Sequence, residues 1–200
     1  LRDQDTLVRE FTNYREELEH LLYGISITGD LSPRVQDFVL SYGERMSTSI
    51  VTMALLERGC KAELVDSRLC ISSNSDFGKA EPLMQETKEQ CESLLLPLVN
   101  QGRVPVMQGF IASDREGITT TLGRGGSDYT SAIVGAGLTA SAIEIWTDVD
   151  GILTADPNIV PNALRVREMS FQEAAELAYF GAKVLHPSTL LPAIENSIPV

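Results

Sequence analysis

Cysteine and histidine are scarce in this chain. Three cysteines in 200 residues (Cys60, Cys70 and Cys91) stand far apart with no CxxC pair, and histidine occurs twice. That argues against a disulfide scaffold and a Cys/His zinc site, and it fits a reduced compartment. Basic residues are also in the minority: 16 Lys and Arg face 28 Asp and Glu, a net charge of −12. The basic stripe that nucleic-acid binding needs is missing. The longest uncharged run, Tyr129 to Ile143, has fifteen residues and includes Thr and Ser. A membrane-spanning helix needs about 18 apolar residues or more. The start, Leu1-Arg2-Asp3-Gln4-Asp5, has no apolar stretch behind a basic opening, so no secretory signal is read there. No GxxxxGK[ST] loop and no GxGxxG fingerprint occurs. What remains is an acidic, soluble, cytoplasmic globular chain, long enough to bury a core as one domain or two small ones. Repeats, low-complexity segments and linkers are not found. Both ends read as cut: there is no initiating Met, and Val200 follows Ser197-Ile198-Pro199, which reads as the start of a strand.

What is there is an alternation of helix and strand patterns. Leu7, Phe11, Tyr14, Leu18 and Leu21 recur at helical spacing and predict a helix from Gln4 to Tyr23. Ser32-Pro33 gives an N-cap and a first-turn proline for a second helix. Val35, Phe38, Val39, Met46, Ile50 and Leu55 are its expected apolar positions, and it stops at Gly59. A short strand is expected at Ala62 to Asp66 and a third helix at Glu86 to Asn100. Further strands are expected over Val104 to Phe110 and Ile118 to Leu122, the first weakened by Pro105. A small-residue helix should run from Ser127 to Leu138, and a strand from Ile143 to Trp146. Ser170-Phe171-Gln172-Glu173 is a capping box, and a last helix follows Pro187. This order argues an α/β layered fold with a mainly parallel sheet.

The strongest local signal is Gly123-Arg124-Gly125-Gly126-Ser127-Asp128, between a strand and a helix. Glycines let backbone approach a ligand closely, a helix start favours an anion, and Arg124 can grip a carboxylate or phosphate with two bonds. The alternative is a tight turn with Ser127 as a plain N-cap. Trp146-Thr147-Asp148-Val149-Asp150-Gly151 leaves the C-terminal end of an expected strand, where α/β sheets place ligands. Thr147 and Asp148 offer groups suited to a nucleoside; an acidic surface loop is the plainer reading. Asp148, Asp150 and Asp156 lack the spacing of a calcium loop. Lys183, just after Gly181, could reach phosphate oxygens or complement a helix end. His186 before Pro187 reads as structural. Gly43, inside a helical pattern, costs about 1 kcal/mol against alanine and calls for a reason. Asp76-Phe77-Gly78 matches a protein-kinase motif in letters only and reads as a surface loop. The cysteines read as small buried apolar residues.

Five segments in order resemble the aspartate kinases of the amino-acid kinase superfamily. They are Gly43-Glu44-Arg45-Met46-Ser47, Gln108-Gly109-Phe110-Ile111, Gly123 to Asp128, Trp146 to Gly151, and Phe180 to Pro187. The resemblance implies a three-layer α/β/α sandwich over residues 1–200, as part of a catalytic domain. It implies transfer of the γ-phosphoryl group of ATP, carrying Mg²⁺ on its phosphates, to the side-chain carboxylate of L-aspartate. By resemblance, Arg124 pairs with the substrate α-carboxylate and Glu44 receives its ammonium. Phe110, Gly125 and Ser127 shape that pocket, and Asp128 orients substrate or a catalytic lysine. Thr147, Asp148 and Leu153 would hold the nucleoside, and Lys183 with the Val184 backbone would meet the ATP phosphates. A cytoplasmic homodimer in lysine, threonine and methionine synthesis is also implied.

This sequence departs from the family in lacking the N-terminal Lys-Phe-Gly-Gly-Thr-Ser strand and the C-terminal regulatory domains, so the chain alone is expected to be inactive. It also has Leu153 and Asn158 where many members carry an aromatic residue and an arginine. Rival readings are a kinase of glutamate, acetylglutamate or a nucleoside monophosphate, and a non-catalytic binding module.

Overall fold

The computed structural model describes residues 4–147, 151–156, 158–179 and 190–200. Helices α1 (Gln4–Thr28) and α2 (Pro33–Glu57) open the chain. Helix α1 extends one turn beyond the length expected from its apolar spacing. Ser32 caps α2 as expected, its Oγ accepting from the Val35 amide at 3.4 Å. Strand β1 (Ala62–Val65) and the short α3 (Ser67–Cys70) follow, with Asp66 capping α3 rather than ending the strand. Next come β2 (Ser72–Ser73), α4 (Met84–Leu94) and α5 (Leu96–Asn100). The single helix expected at Glu86 to Asn100 is thus two, broken at Leu95 ahead of Pro97. Proline cannot supply the amide that a continuous helix would need there.

Strands β3 (Val104–Met107), β4 (Ile111–Asp114) and β5 (Thr119–Thr121) precede α6 (Gly126–Gly137). After the 151–166 segment come α7 (Phe171–Tyr179) and α8 (Leu191–Glu195). The capping box closes as expected: Glu173 accepts from the Ser170 amide at 2.8 Å, and the Glu173 amide returns a bond to Ser170 Oγ at 3.2 Å.

Strands β1 and β3 pair in parallel, as do β2 and β4, while β5 joins β4 antiparallel. Register sets Ile111 opposite Thr121 and Ala112 opposite Thr120, so these pairs face opposite sides of the sheet. On one side Thr121 meets α2. On the other, Ala112 joins Cys70, Ile71, Cys91, Leu95, Leu122 and Ile133 in a buried apolar cluster under α4 and α6. That is the helix–sheet–helix layering of the expected fold.

Three further expectations fail. The Val104 to Phe110 strand stops at Met107, and the chain turns at Phe110 to begin β4, which the sequence reading did not separate. The Ile143 to Trp146 segment is not a strand. Ile143 is buried and its amide donates to Pro199 O at 2.9 Å, but Pro199 has no N–H to return, and Trp146 is 88% exposed. Cys60 is exposed, whereas Cys70 and Cys91 are buried as expected. Burial pushes the Cys70 thiol up to about 12 and Cys91 to about 11, so neither is a ready nucleophile.

Candidate active site

Between β3 and β4 the chain reverses across one residue. The Ile111 amide donates to Gly109 O at 2.8 Å, and Phe110 between them has φ +69°. This is a γ-turn in its strained, positive-φ form, which persists only where surroundings over-determine it. Those surroundings come from the glycine loop. The Phe110 amide donates to Thr130 Oγ1 at 3.0 Å, and Phe110 O accepts from the Leu122 amide at 2.9 Å. A side chain at Gly126 would lie 2.6 Å from Phe110 Cδ2, and one at Gly109 would lie 3.0 Å from Ser127 Cα, Cβ and Oγ. The Gln108–Ile111 and Gly123–Asp128 motifs are therefore packed against each other at backbone distance.

Gly123 and Gly125 sit at φ +73° and +72°, which suits glycine and few other residues. Gly125 is the residue before α6, and no side chain caps that helix. Ser127 is not the cap; it lies one residue inside the helix, exposed. The Gly126 amide donates back to Gly123 O at 3.1 Å, and the next first-turn amides, those of Ser127 and Asp128, stand at the positive end of the helix dipole with no side-chain cap. Arg124 is exposed beside them and makes no hydrogen bond or ion pair among the described residues. An exposed, unpaired cation next to a helix start without a side-chain cap is an arrangement that accepts an anionic group. Asp128, in the first turn of α6, is half-buried, and burial raises its carboxyl above the ordinary aspartate value.

Glu44 projects from α2, half-buried, and desolvation raises its carboxyl too. No cation pairs with it among the described residues, so a bound ammonium would relieve that cost. Through Asp37, which sequence reasoning missed, helix α2 reaches the end of β5, two residues before Gly123. Asp37 is 1% exposed. Its Oδ1 accepts from the Thr121 hydroxyl at 2.8 Å, and Oδ2 accepts from the Thr121 amide at 2.9 Å and the Gly78 amide at 2.8 Å. The available signal was an acid seven residues before Glu44, hence on the same helical face. The Asp76-Phe77-Gly78 segment, expected as a plain surface loop, is exposed in large part but anchored here. Gly78 O lies 3.2 Å from where a Gly123 side chain would stand.

The nucleotide-side residues are less gathered. Thr147 is exposed, and Leu153 is half-buried in an antiparallel bridge to Arg165. Asp148, Lys183 and Val184 lie outside the described residues, as does the whole Phe180 to Pro187 motif with His186. Among the described residues no group of three or more His, Cys, Asp or Glu side chains could hold a metal ion. No helix among them is long and apolar enough to cross a membrane. A cleft of about 380 Å³ between α1, α2 and the β4–β5 turn, lined by Leu21, Arg34, Phe38 and Arg68 among others, contains none of the candidate residues.

Residues 5–200 match the amino acid kinase family model. The chain is 49% identical over 191 residues to the lysine-sensitive aspartokinase 3 of Escherichia coli (strain K12), covering 93% of this chain and 42% of that protein. It is 41% identical over 189 residues to aspartokinase 1, chloroplastic, of Arabidopsis thaliana, covering 94% of this chain and 33% of that protein. It therefore spans less than half the length of these relatives. Among solved structures, E. coli aspartokinase III in complex with aspartate and ADP superposes with a TM-score of 0.91 at 45% identity. That match covers 99% of this chain and 44% of the other.

Proposed function

The chain belongs to the amino acid kinase family, and from that premise we propose that the protein containing it is an aspartate kinase. It would transfer the γ-phosphoryl group of ATP to the side-chain carboxylate of L-aspartate, giving 4-phospho-L-aspartate and ADP. The observation that carries this reading is the uncapped start of α6 with Arg124 unpaired beside it, fused to the strained Phe110 turn. It is supported by the names of relatives at 49% and 41% identity, and by a solved neighbour holding aspartate and ADP.

The chemistry asks little covalent help of the protein. A carboxylate acceptor is already ionised at neutral pH, so no general base need remove a proton. One carboxylate oxygen forms a bond to the γ-phosphorus as the bond to the bridging oxygen of ADP breaks, and that oxygen leaves with the electron pair. Catalysis rests on alignment and on neutralising two anions brought together. In this reading Arg124 and the first amides of α6 hold the substrate α-carboxylate, and Glu44 holds its ammonium. Phe110, Gly125 and Ser127 wall the pocket, and Asp128 orients substrate or a lysine. Thr147, Asp148 and Leu153 would contact the nucleoside, with Lys183 and Val184 at the ATP phosphates. Mg²⁺ enters bound to those phosphates, with no protein ligand assigned. A cytoplasmic homodimer at the head of lysine, threonine and methionine synthesis completes the proposal.

The test is an acceptor panel with the full-length protein: aspartate, glutamate, acetylglutamate and a nucleoside monophosphate. Aspartate should give the highest kcat/KM. Faster turnover of glutamate would reject the assignment while leaving the family intact. Lys183→Met should lower ATP affinity or kcat and leave aspartate affinity largely alone; unchanged kinetics with a slightly lower Tm would reduce Lys183 to a helix cap.

A further inference from the structure

Helix α2 carries two acids seven residues apart, Asp37 and Glu44. Seven residues is close to two helical turns, so both lie on one face, with Glu44 about 10 Å further along the axis. Asp37 is fully occupied, and each of its partners lies at the edge of the glycine loop. Thr121 is the last residue of β5, two before Gly123. Gly78 belongs to the segment that packs on Gly123, and the adjacent Ala80 amide donates to Thr121 O at 2.8 Å. One buried carboxylate therefore ties α2 to both strands of chain that flank Gly123, and Arg124 is the next residue.

We propose that Asp37 is a positioning residue that sets the separation between Glu44 and Arg124, and so the fit for an α-amino acid zwitterion. The proposal rests on the roles given above to those two residues. An amino acid presents its ammonium and α-carboxylate on one carbon, so the groups that grip them must keep a fixed spacing. Glu44 is fixed to α2 by being part of it. Arg124 is on a loop whose glycines give it freedom, and the Asp37 clamp removes that freedom at the loop's base. Without the clamp, α2 and β5 can slide, and both grips cannot engage the same small molecule at full strength. ATP, which makes neither contact, should be indifferent to the loss.

The experiment uses the full-length protein and measures KM for aspartate, KM for ATP, kcat and Tm. Asp37→Ala should raise aspartate KM by about 10-fold or more, since misplacement of a binding group by an ångström is costly, with ATP KM within about twofold. Asp37→Asn should stay near the parent: its amide oxygen can accept from the Gly78 and Thr121 amides while Nδ2 donates to Thr121 Oγ1. Should Asp37→Ala fail to fold, Thr121→Val removes only the hydroxyl bond and should raise aspartate KM by about threefold with ATP KM unchanged. Glu44→Gln separates the proposal from the reading beneath it. If Glu44→Gln raises aspartate KM but folded Asp37→Ala and Thr121→Val do not, the positioning role is wrong and the site stands. If none of the three raises it, the site reading falls as well. An equal rise in both KM values, or Asp37→Asn as damaging as Asp37→Ala, would also overturn the clamp.

Discussion

The two faces of the β2–β4–β5 sheet are covered by opposite materials. Under α4 and α6 the buried residues are Cys70, Ile71, Cys91, Leu95, Ala112, Leu122 and Ile133, an ordinary apolar core. The buried face of α2, by contrast, is Asp37, Ser41, Thr48, Ser49 and Thr52 with Tyr42 and Met53. Most of the polar groups buried there have partners, Asp37 across the fold and three hydroxyls along the helix itself. Ser41 donates to Phe38 O, Thr48 to Glu44 O and Thr52 to Thr48 O, each back along its own helix. The apolar face supplies stability by excluding water. The polar face has a smaller hydrophobic gain and instead holds helix and loop in register through directional bonds. It is this second face that carries Glu44 and leads to Arg124.

The contrast can be broken from either side. Ile133→Ala empties part of the apolar cluster and should cost about 2–5 kcal/mol in unfolding of the full-length protein, with aspartate KM little changed. A large KM effect would mean the core face also shapes the site. Gly126→Ala puts a methyl 2.6 Å from Phe110 Cδ2 and should cost about 1–3 kcal/mol. Unlike the first variant, it should raise aspartate KM, because the Phe110 turn must shift. A neutral result in both stability and KM would show that the close approach is not required. Ser49 Oγ is buried without a hydrogen-bond partner among the described residues. Ser49→Ala should therefore raise stability by about 1 kcal/mol, seen as a higher denaturant midpoint; a loss of that size would show that the hydroxyl has a partner.

Glu44 gives the smallest effect on stability and the clearest sign. Burial raises its carboxyl in the folded state. A raised acid favours the fold below its unfolded value and loses that advantage as pH rises through the folded one. Glu44→Gln should thus stabilise the protein slightly at neutral pH, by less than about 1 kcal/mol given solvent screening at a half-exposed group. Binding runs the other way. Aspartate KM in the parent should rise as pH falls through the raised Glu44 value, because the neutral acid no longer attracts an ammonium. Glu44→Gln should flatten that limb, and an unchanged limb would assign it to another group.

How much of this was legible in sequence follows the same division. The apolar pattern located most elements, and glycine chemistry marked the loop at Gly123 to Asp128. Periodicity misread α2, where the expected apolar positions Val35, Phe38, Val39 and Met46 are only partly buried and Ile50 is 51% exposed. Its interior face is built from hydroxyls that look like surface residues until their helix bonds are seen. The Phe110 turn was hidden because a strand-like run of Val104 to Phe110 gives no sign of a non-glycine positive φ. The break at Leu95 and the one-sided pairing of Ile143 with Pro199 both turn on what proline cannot donate, and the sequence shows the proline without its consequence. Asp37 was missed because its partners, Gly78 and Thr121, are 41 and 84 residues away.

In the proposed site, the loop against the polar face holds the α-carboxylate of aspartate through Arg124. Arg124→Lys in the full-length protein addresses it most directly, since lysine keeps the charge but cannot form the planar two-bond grip. Losing a charge-assisted pair costs on the order of 1.5–3 kcal/mol, so aspartate KM should rise roughly 10- to 150-fold while ATP KM changes little. An unchanged aspartate KM in a folded Arg124→Lys protein would contradict the account.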